Sequence, residues 1–408
     1  MPGQTLGSPA YTTSSASGFD RALKELYPRK MNTIINRRNI LLNMLRRQSK
    51  VKQVSGRRVV QPINIRGSQA LGARTATGTT PSPQSQTIIE ALIPPNYLYG
   101  TVQFDLPTIR ASRNDAGAFA RVMDVEMNGM RRDAQNDLNR QLFGNSLGSL
   151  GTVNGAVTAS TAVTMDTGHK VKTGMILDFY TNSSGDPSTT TSATSVKVSA
   201  TTSTTLTMAT LVTLVDNDHA VREGNRGNEV LGLLGTVDDD TGTYMGISRN
   251  TYAEWRAQVV SASSGDISDS LMQQVFLNAE EQGEGEINLI ISSYLQWRRY
   301  GLTLSPDRRY TPAMKLQGGF TALDFNGKPF VADRDCDNNG TQNIAYFLDM
   351  DAFQILEMSD GWEWDDTDGR ILHKVANQPA YDATLYYYLE LFCSDPANNG
   401  RLESLSTS

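Results

Sequence analysis

Apolar side chains recur every three or four residues in some stretches of this chain and every second residue in others, so helices and strands are mixed. The longest helical pattern occupies residues 112–145, SRNDAGAFARVMDVEMNGMRRDAQNDLNRQLFGN. There Phe119, Met123, Met127, Met130, Ala134, Leu138 and Leu142 form one apolar stripe. Ser112 and Asp115 resemble a capping box, Asn114 is an alternative N-cap, and Gly144-Asn145 marks the end. Gly129 in mid-helix predicts a bend or a close neighbour. The remaining faces are charged and carry no evident catalytic group.

Ahead of this helix the pattern is unusual. Phe19, Leu23, Leu26 and Tyr27 predict a first helix, Pro28 interrupts it, and a second pattern runs from Met31 to Leu45 with basic residues on its other face. No core of their own follows, so residues 1–50 read as an arm. VVQPINIRG then predicts a strand, with a return strand in TIIEALIPPNYLYGTVQFDLP, where Val102, Phe104 and Leu106 alternate with polar neighbours. GSQALGARTATGTTPSPQSQ between them is almost devoid of large apolar groups. A loop of that length fits poorly inside a compact domain but suits a projecting hairpin that gains contacts from another subunit.

Beyond residue 150 the character changes again. Ser and Thr supply 19 of the 33 residues from Thr181 to Thr213, yet Val196/Val198 and Leu206/Met208 alternate with polar residues. A small β-rich insertion ending near GNEVLGLLG is expected. From Tyr244 the pattern is mixed. ISDSLMQQVFLNAEEQGEG is a helix capped by Ser268 or Asp266, INLIISS a buried strand, SYLQWRRYG a helix, Asn326-Gly327 a hairpin turn, and ATLYYYLELFCS a long aromatic strand.

Charge sharpens this division. The net charge is −6, but residues 21–74 contain 14 Lys/Arg against Glu25 alone, whereas residues 75–408 carry a net −18. A basic arm on an acidic body suits nucleic acid or the body of another copy. No apolar run approaches the roughly 18 residues that span a bilayer, and the N-terminal stretch has no signal-peptide pattern. Cys336 and Cys393 are too few for a disulfide framework and read as buried thiols.

Candidate chemistry is sparse. His169, His219 and His373 are widely separated and lack companions for a zinc site. No Walker, dinucleotide-binding or nucleophile-elbow motif occurs. Asp333, Asp335 and Asp337 are spaced like the first ligands of an EF-hand, but Asn338 replaces its glycine and Ile344 its final glutamate. They read as a plain turn, as do Asp238–Asp240 and DDTDG at 365–369. No catalytic, cofactor-binding or metal-binding residue, and no cofactor, is assigned.

YLYGTVQFDLPTIRAS followed by GAFARVMDVEMNGMRRDAQNDLNRQLFGN resembles the major capsid proteins of tailed double-stranded DNA bacteriophages with the Hong Kong 97-type fold. DGWEWDDTDGRILHKVANQPAYDATLYYYLELFC is similar to their closing strands. The resemblance implies an α+β chain with an N-terminal arm (1–50), an extended hairpin loop (51–111), the spine helix of a peripheral domain (112–150), a β-rich insertion (151–236), an axial α/β domain (237–360) and closing strands (361–408). It implies no enzyme but a shell component, assembled in the bacterial cytoplasm as hexamers and pentamers around the double-stranded genome of a tailed phage. The implied partners are further copies, a portal protein, optionally a decoration protein, and packaged DNA read without sequence specificity. Only about 18 residues precede the first helix, so a separate scaffolding protein is expected. Some relatives crosslink a loop lysine to a neighbour's asparagine. Residues 53–142 contain no lysine, so a non-covalent shell is expected. Arg121, Arg131, Arg132 and Arg140 are candidates for lateral contact along the spine helix. On the residues alone, a tail or spike protein, a nucleic-acid-binding protein using the basic region, and an enzyme with unpaired carboxylates remain alternatives.

Overall fold

The first described element is a short amphipathic helix, α1 (Ile40–Arg47), and it is docked rather than free. Its Leu41, Leu42 and Leu45 are almost inaccessible, each contributing about 1.5–3 kcal/mol by apolar burial. The first N–H groups of a helix have no partner within it. Here Ile40 N and Leu41 N donate to Asp333 Oδ2, at 3.0 and 3.5 Å. The computed structural model describes residues 39–47, 51–107, 116–283, 285–304, 314–315, 321–337, 341–367 and 369–407, all within one unit, Arg38–Ser408. The earlier part of the expected arm and the Ser112–Asp115 cap lie outside them.

The aromatic run near the C-terminus forms the 14-residue strand Ala380–Cys393. Asn96–Asp105 lies antiparallel along one side, from Asn96 opposite Leu389 to Asp105 opposite Ala380. The other side takes Phe353–Glu357 and the two-residue strands Glu363–Trp364 and His373–Lys374. Val51–Gln53 adds a parallel edge beyond Phe353–Glu357. The expected single return strand is in fact two. Pro94-Pro95, which lack amide donors, separate hairpin strand Thr87–Ile93 from Asn96–Asp105.

The predicted long helix is α2 (Ala116–Gln141), 26 residues and about 39 Å long. Leu138 and Leu142 at its C-terminal end are fully buried. Its last turn tightens, with Phe143 N bonded to Arg140 O and Gly144 N to Gln141 O. The close approach expected at Gly129 falls elsewhere. A Cβ on Gly129 would meet nothing within 4 Å, whereas one on Gly100 of the sheet would lie 3.0 Å from Met130 Sδ. The close approach is at the strand glycine, against the Met130 side chain, rather than at the helix glycine.

The β-rich insertion is a six-stranded antiparallel sheet in the order Ser149–Thr152, His219–Arg222, Ile176–Ser183, Asp186–Thr201, Thr205–Leu214, Val157–Thr164. Its outer strands meet. Val153 bridges Met165, Asn154 N donates to Thr164 O and Asp166 N to Thr152 O, both at 2.9 Å. The sheet therefore closes into a small barrel, which removes exposed edges. Leu177, Phe179, Val198 and Leu206 fill its separate core, while threonines, suited to strands by β-branching, cover its outside.

Two buried arginines fix the return from the barrel. Arg401 donates to Leu234 O and Val237 O at 3.0 Å each and pairs with Asp238, while Arg249 donates to Thr236 O at 2.6 Å beneath Tyr244. They satisfy carbonyls at the end of the helical turn Leu233–Thr236. The last layer is a seven-stranded mixed sheet running from Gln258–Ser261 to Met314–Lys315, flanked by α3 (Asp269–Gln282) and α4 (Tyr294–Thr303). Ser268 is the realised cap of α3, accepting from Leu271 N, and Asn326-Gly327 forms the expected turn with positive φ at both residues.

Because the barrel has its own core and closed ladder, residues 147–228 expressed alone should fold. We expect a β-type circular dichroism spectrum and one cooperative thermal transition. Phe179→Ala should destabilise that fragment by about 3–5 kcal/mol; a disordered parent fragment would show that the barrel depends on the rest of the chain.

Candidate assembly surfaces

Val59–Arg66 and Thr87–Ile93 pair as an antiparallel hairpin, from Val59 opposite Ile93 to Arg66 opposite Thr87. Val59, Ile63, Ile65 and Ile89 lean on the main core. On the other face Val60 and Ile88 stay exposed, Ile88 at 63%, and Leu71 in the 67–86 tip is 90% exposed. A two-stranded ribbon has little stability of its own, so its placement comes from contacts outside it. At the root Leu92 N donates to Met245 O at 2.7 Å. At the far end of the paired strands Arg66 grips Glu254 with two bonds, 2.7 and 3.0 Å, and lies 5.2 Å from the Tyr252 ring. That ion pair is open to solvent, so it directs the hairpin more than it stabilises it.

Below the hairpin, Asn96 Nδ2 donates to Glu390 Oε2 at 2.5 Å and to Glu229 O at 3.0 Å. Glu390 Oε1 accepts from Leu231 N and Leu391 N, both at 3.0 Å. One buried carboxyl thus ties the hairpin root, the central strand and the return from the barrel. Burial pushes its pKa up to about 8, against the opposing pull of the two backbone N–H groups. The sequence signal was a lone acid in the otherwise apolar end of a strand, LELFC. The Arg66–Glu254 contact had no such signal, because its partners are 188 positions apart.

The end of α2 corrects one expectation. Arg140 does not face a neighbour. It is buried, bonded to Glu229 Oε1 at 2.6 Å and to Asp137 Oδ1 at 3.1 Å, and Arg222 adds a third cation-to-carboxylate contact. Burial disfavours the ionised Asp137, but Arg140 and Arg222 outweigh it and hold the carboxyl below its usual range. This knot fastens the barrel to the helix, and a solvent-facing arginine could not do so. Arg131 is exposed and Arg132 half-exposed; the Arg121 side chain lies outside the described residues.

The aspartates at 333–337 are spent internally. Asp333 caps α1 and also accepts from Asn139 Nδ2 and Asp335 N; Asp335 accepts from Asn139 at 2.9 Å; Asp337 pairs with Lys170 at 2.7 Å. They join α1, the long helix, the barrel and the seven-stranded sheet. His169, His219 and His373 bond separately to Thr202 O, Ser149 Oγ and Asp365 O. Among the described residues no three His, Cys, Asp or Glu side chains are grouped to hold a metal ion, and no helix is long and apolar enough to cross a membrane. Cys336 and Cys393 are buried free thiols.

What these residues build is cohesion around an unsatisfied hairpin. No protein-family model matches the chain, and no curated protein matches it by sequence. Solved structures do match. A chain of the cyanophage A-1(L) capsid aligns over 95% of this chain and 98% of its own, with a TM-score of 0.60 at 13% identity. The chain has the Hong Kong 97-type capsid fold. An encapsulin from Synechococcus elongatus aligns over 97% and 98%, with a TM-score of 0.50 at 8% identity. Within this fold Glu390 joins the hairpin root to the sheet beneath it.

Glu390 makes a pH dependence explicit. Its folded-state pKa lies above the ordinary glutamate value, so between about pH 4.5 and 8 the folded subunit retains a proton that the unfolded chain has lost. Its stabilising contribution is therefore complete below that window and declines as pH rises through it, by an amount on the order of 5 kcal/mol. Urea denaturation of the isolated chain at pH 5 and pH 8 should show this loss, and Glu390→Gln should reduce it. An unchanged pH dependence in the variant would assign the effect to other groups.

Proposed function

We propose that this chain is the major capsid protein of a tailed double-stranded DNA phage. Copies form hexamers and pentamers, and these tile a closed shell around the genome. The supporting observation is the pairing of a capsid fold over nearly the whole chain with a hairpin whose outer face exposes Val60, Leu71 and Ile88 among the described residues. Ordering such a ribbon costs conformational entropy, which contacts with a neighbouring copy offset by burying Val60, Leu71 and Ile88. The work done is mechanical, and the side chains that carry it are cohesive rather than catalytic. A scaffolding protein, a portal protein and packaged DNA complete the proposed set of partners, with a decoration protein as an optional addition on the outside.

A shell of the encapsulin kind is the second reading, because that likeness also spans the chain. Particle contents separate the two. Electron microscopy of the protein co-expressed with its scaffold should show closed shells, and particles from infected cells should hold nuclease-protected double-stranded DNA. Fibres or small discrete oligomers would overturn the shell reading; DNA-free particles from infection would favour the second.

Two variants of this experiment test the parts. Deleting residues 67–86 should leave soluble subunits that no longer close shells, whereas normal shells would make the hairpin tip dispensable. Intact particles boiled in SDS should run as single subunits, since residues 53–142 hold no lysine for a crosslink from the loop. A ladder of covalent multimers would refute a non-covalent shell.

A further inference from the structure

The sheet built on Ala380–Cys393 has two unequal faces. One packs against the main core and α2. The other presents four tyrosines from two adjacent strands, with Tyr97 opposite Tyr388 and Tyr99 opposite Tyr386. Tyr97 and Tyr99 set their ring edges against Tyr388, centroids 5.1 and 5.8 Å away, and Tyr386 lies 5.2 Å from Tyr388. Tyr97 and Tyr99 are nevertheless 52% and 63% exposed. Exposed aromatic clusters of this sort mark contact surfaces more often than solvent-facing sheet.

Carboxylates surround them. Asp105 and Asp382 share the outward side of the pleat, Glu363 accepts from Tyr386 Oη at 3.1 Å, and Asp365 and Asp366 follow on the same connection. None of these five has an ion-pair partner among the described residues. Their influence reaches the rings: burial and then the bond to Glu363 raise the pKa of Tyr386, with Asp365 and Asp366 adding to it. The nearby basic groups are fewer than the carboxylates, although the bonds from Thr367, and then His373 opposite Asp382, hold the Asp365 carboxyl below its usual range. Lys374 is opposite Tyr381, on the reverse side of the pleat, Arg370 is exposed in the preceding turn, and His373 Nε2 faces the Asp365 carbonyl.

A surface of tyrosine faces within a carboxylate rim attracts lysine and arginine through both ring quadrupoles and ion pairs. It repels phosphate, so packaged DNA is a poor occupant. The chain itself contains the complementary segment. Residues 21–38 carry Arg21, Lys24, Arg29, Lys30, Arg37 and Arg38 against Glu25 alone, interleaved with Leu23, Leu26, Tyr27 and Ile34. We propose that the face formed by Tyr97, Tyr99, Tyr386 and Tyr388 receives the basic segment 21–38 of a second copy of this chain. This rests on the shell reading and names a contact within it. The apolar residues of the segment cover the rings, its cations meet the carboxylates, and a contact between unlike surfaces of two copies is the heterologous kind from which rings are built.

The test places the photocrosslinker p-benzoylphenylalanine at Tyr99 in the full chain and assembles a mixture of isotopically heavy and light subunits. Mass spectrometry of the irradiated assemblies should find heavy–light crosslinks to peptides from residues 19–38. Reversing charge on either side, with Glu363→Lys plus Asp365→Lys or with Arg29→Glu plus Lys30→Glu, should lower their yield roughly tenfold, and combining the two should restore most of it. Crosslinks to residues 59–93 instead, crosslinks confined to one chain, insensitivity to both reversals, or no crosslink would each overturn the proposal. Electron microscopy of the same samples keeps the two readings apart. Closed shells without the crosslink sink this contact alone, whereas heavy–light crosslinks in small rings would uphold the contact and count against the closed shell.

Discussion

Hydrogen bonding along both sides of Ala380–Cys393 is the interaction on which the rest of the subunit depends. Ten of its residues face Asn96–Asp105, and its last five face Phe353–Glu357. Its inward side chains Tyr387, Leu389 and Leu391 are fully buried in the core that also receives α1 and the end of α2, and Leu385 is fully buried beside them. These pairings join segments nearly 300 positions apart, so little of the sheet can form before the end of the chain is present. The hairpin root, the barrel return and the tyrosine face all take their positions from this one strand.

The molecule treats its exposed strands in two opposite ways. The insertion closes into a barrel, so its ladder has no free ends, and its outside is rich in threonine with Ile176, Leu211 and Val215 exposed among them. The hairpin remains a two-stranded ribbon directed by Arg66 and Glu254, with one face on the core and Val60, Ile88 and Leu71 exposed. A monomeric protein would be selected against such a ribbon. In the proposed shell, the exposed side chains are where association would gain its free energy. The buried polar groups have a different task. Asp333, Arg140, Glu229, Arg249 and Arg401 join α1, the long helix, the barrel and the seven-stranded sheet into one body.

Much of this was visible in the pattern of residues. The long helix, the hairpin, the Ser/Thr-rich strands, the Ser268 cap and the Asn326-Gly327 turn all rest on local rules of periodicity, capping and backbone freedom. The errors share a cause. Arg140 looked like a surface group because charge on a helix usually is one, yet Asp137, Glu229 and Arg222 surround it. Gly129 looked like the point of close approach, but Gly100 lies beneath Met130. Asp333 read as part of a turn and is also the cap of a helix nearly 300 positions earlier. The return strand read as continuous, although its two halves belong to different sheets on either side of Pro94-Pro95.

The sequence by itself therefore determined the elements, their order, the separation of a basic arm from an acidic body, and the absence of any recognisable catalytic motif. These follow from interactions between residues a few positions apart, and such interactions leave a period or a motif in the chain. Only the tertiary structure decided which charges are buried, where Glu390 binds three segments together, that the insertion closes on itself, and which sheet face displays its tyrosines. Those outcomes depend on partners brought together from across the chain. Whether a side chain is covered or solvated is a property of the packed whole, and no local pattern records it.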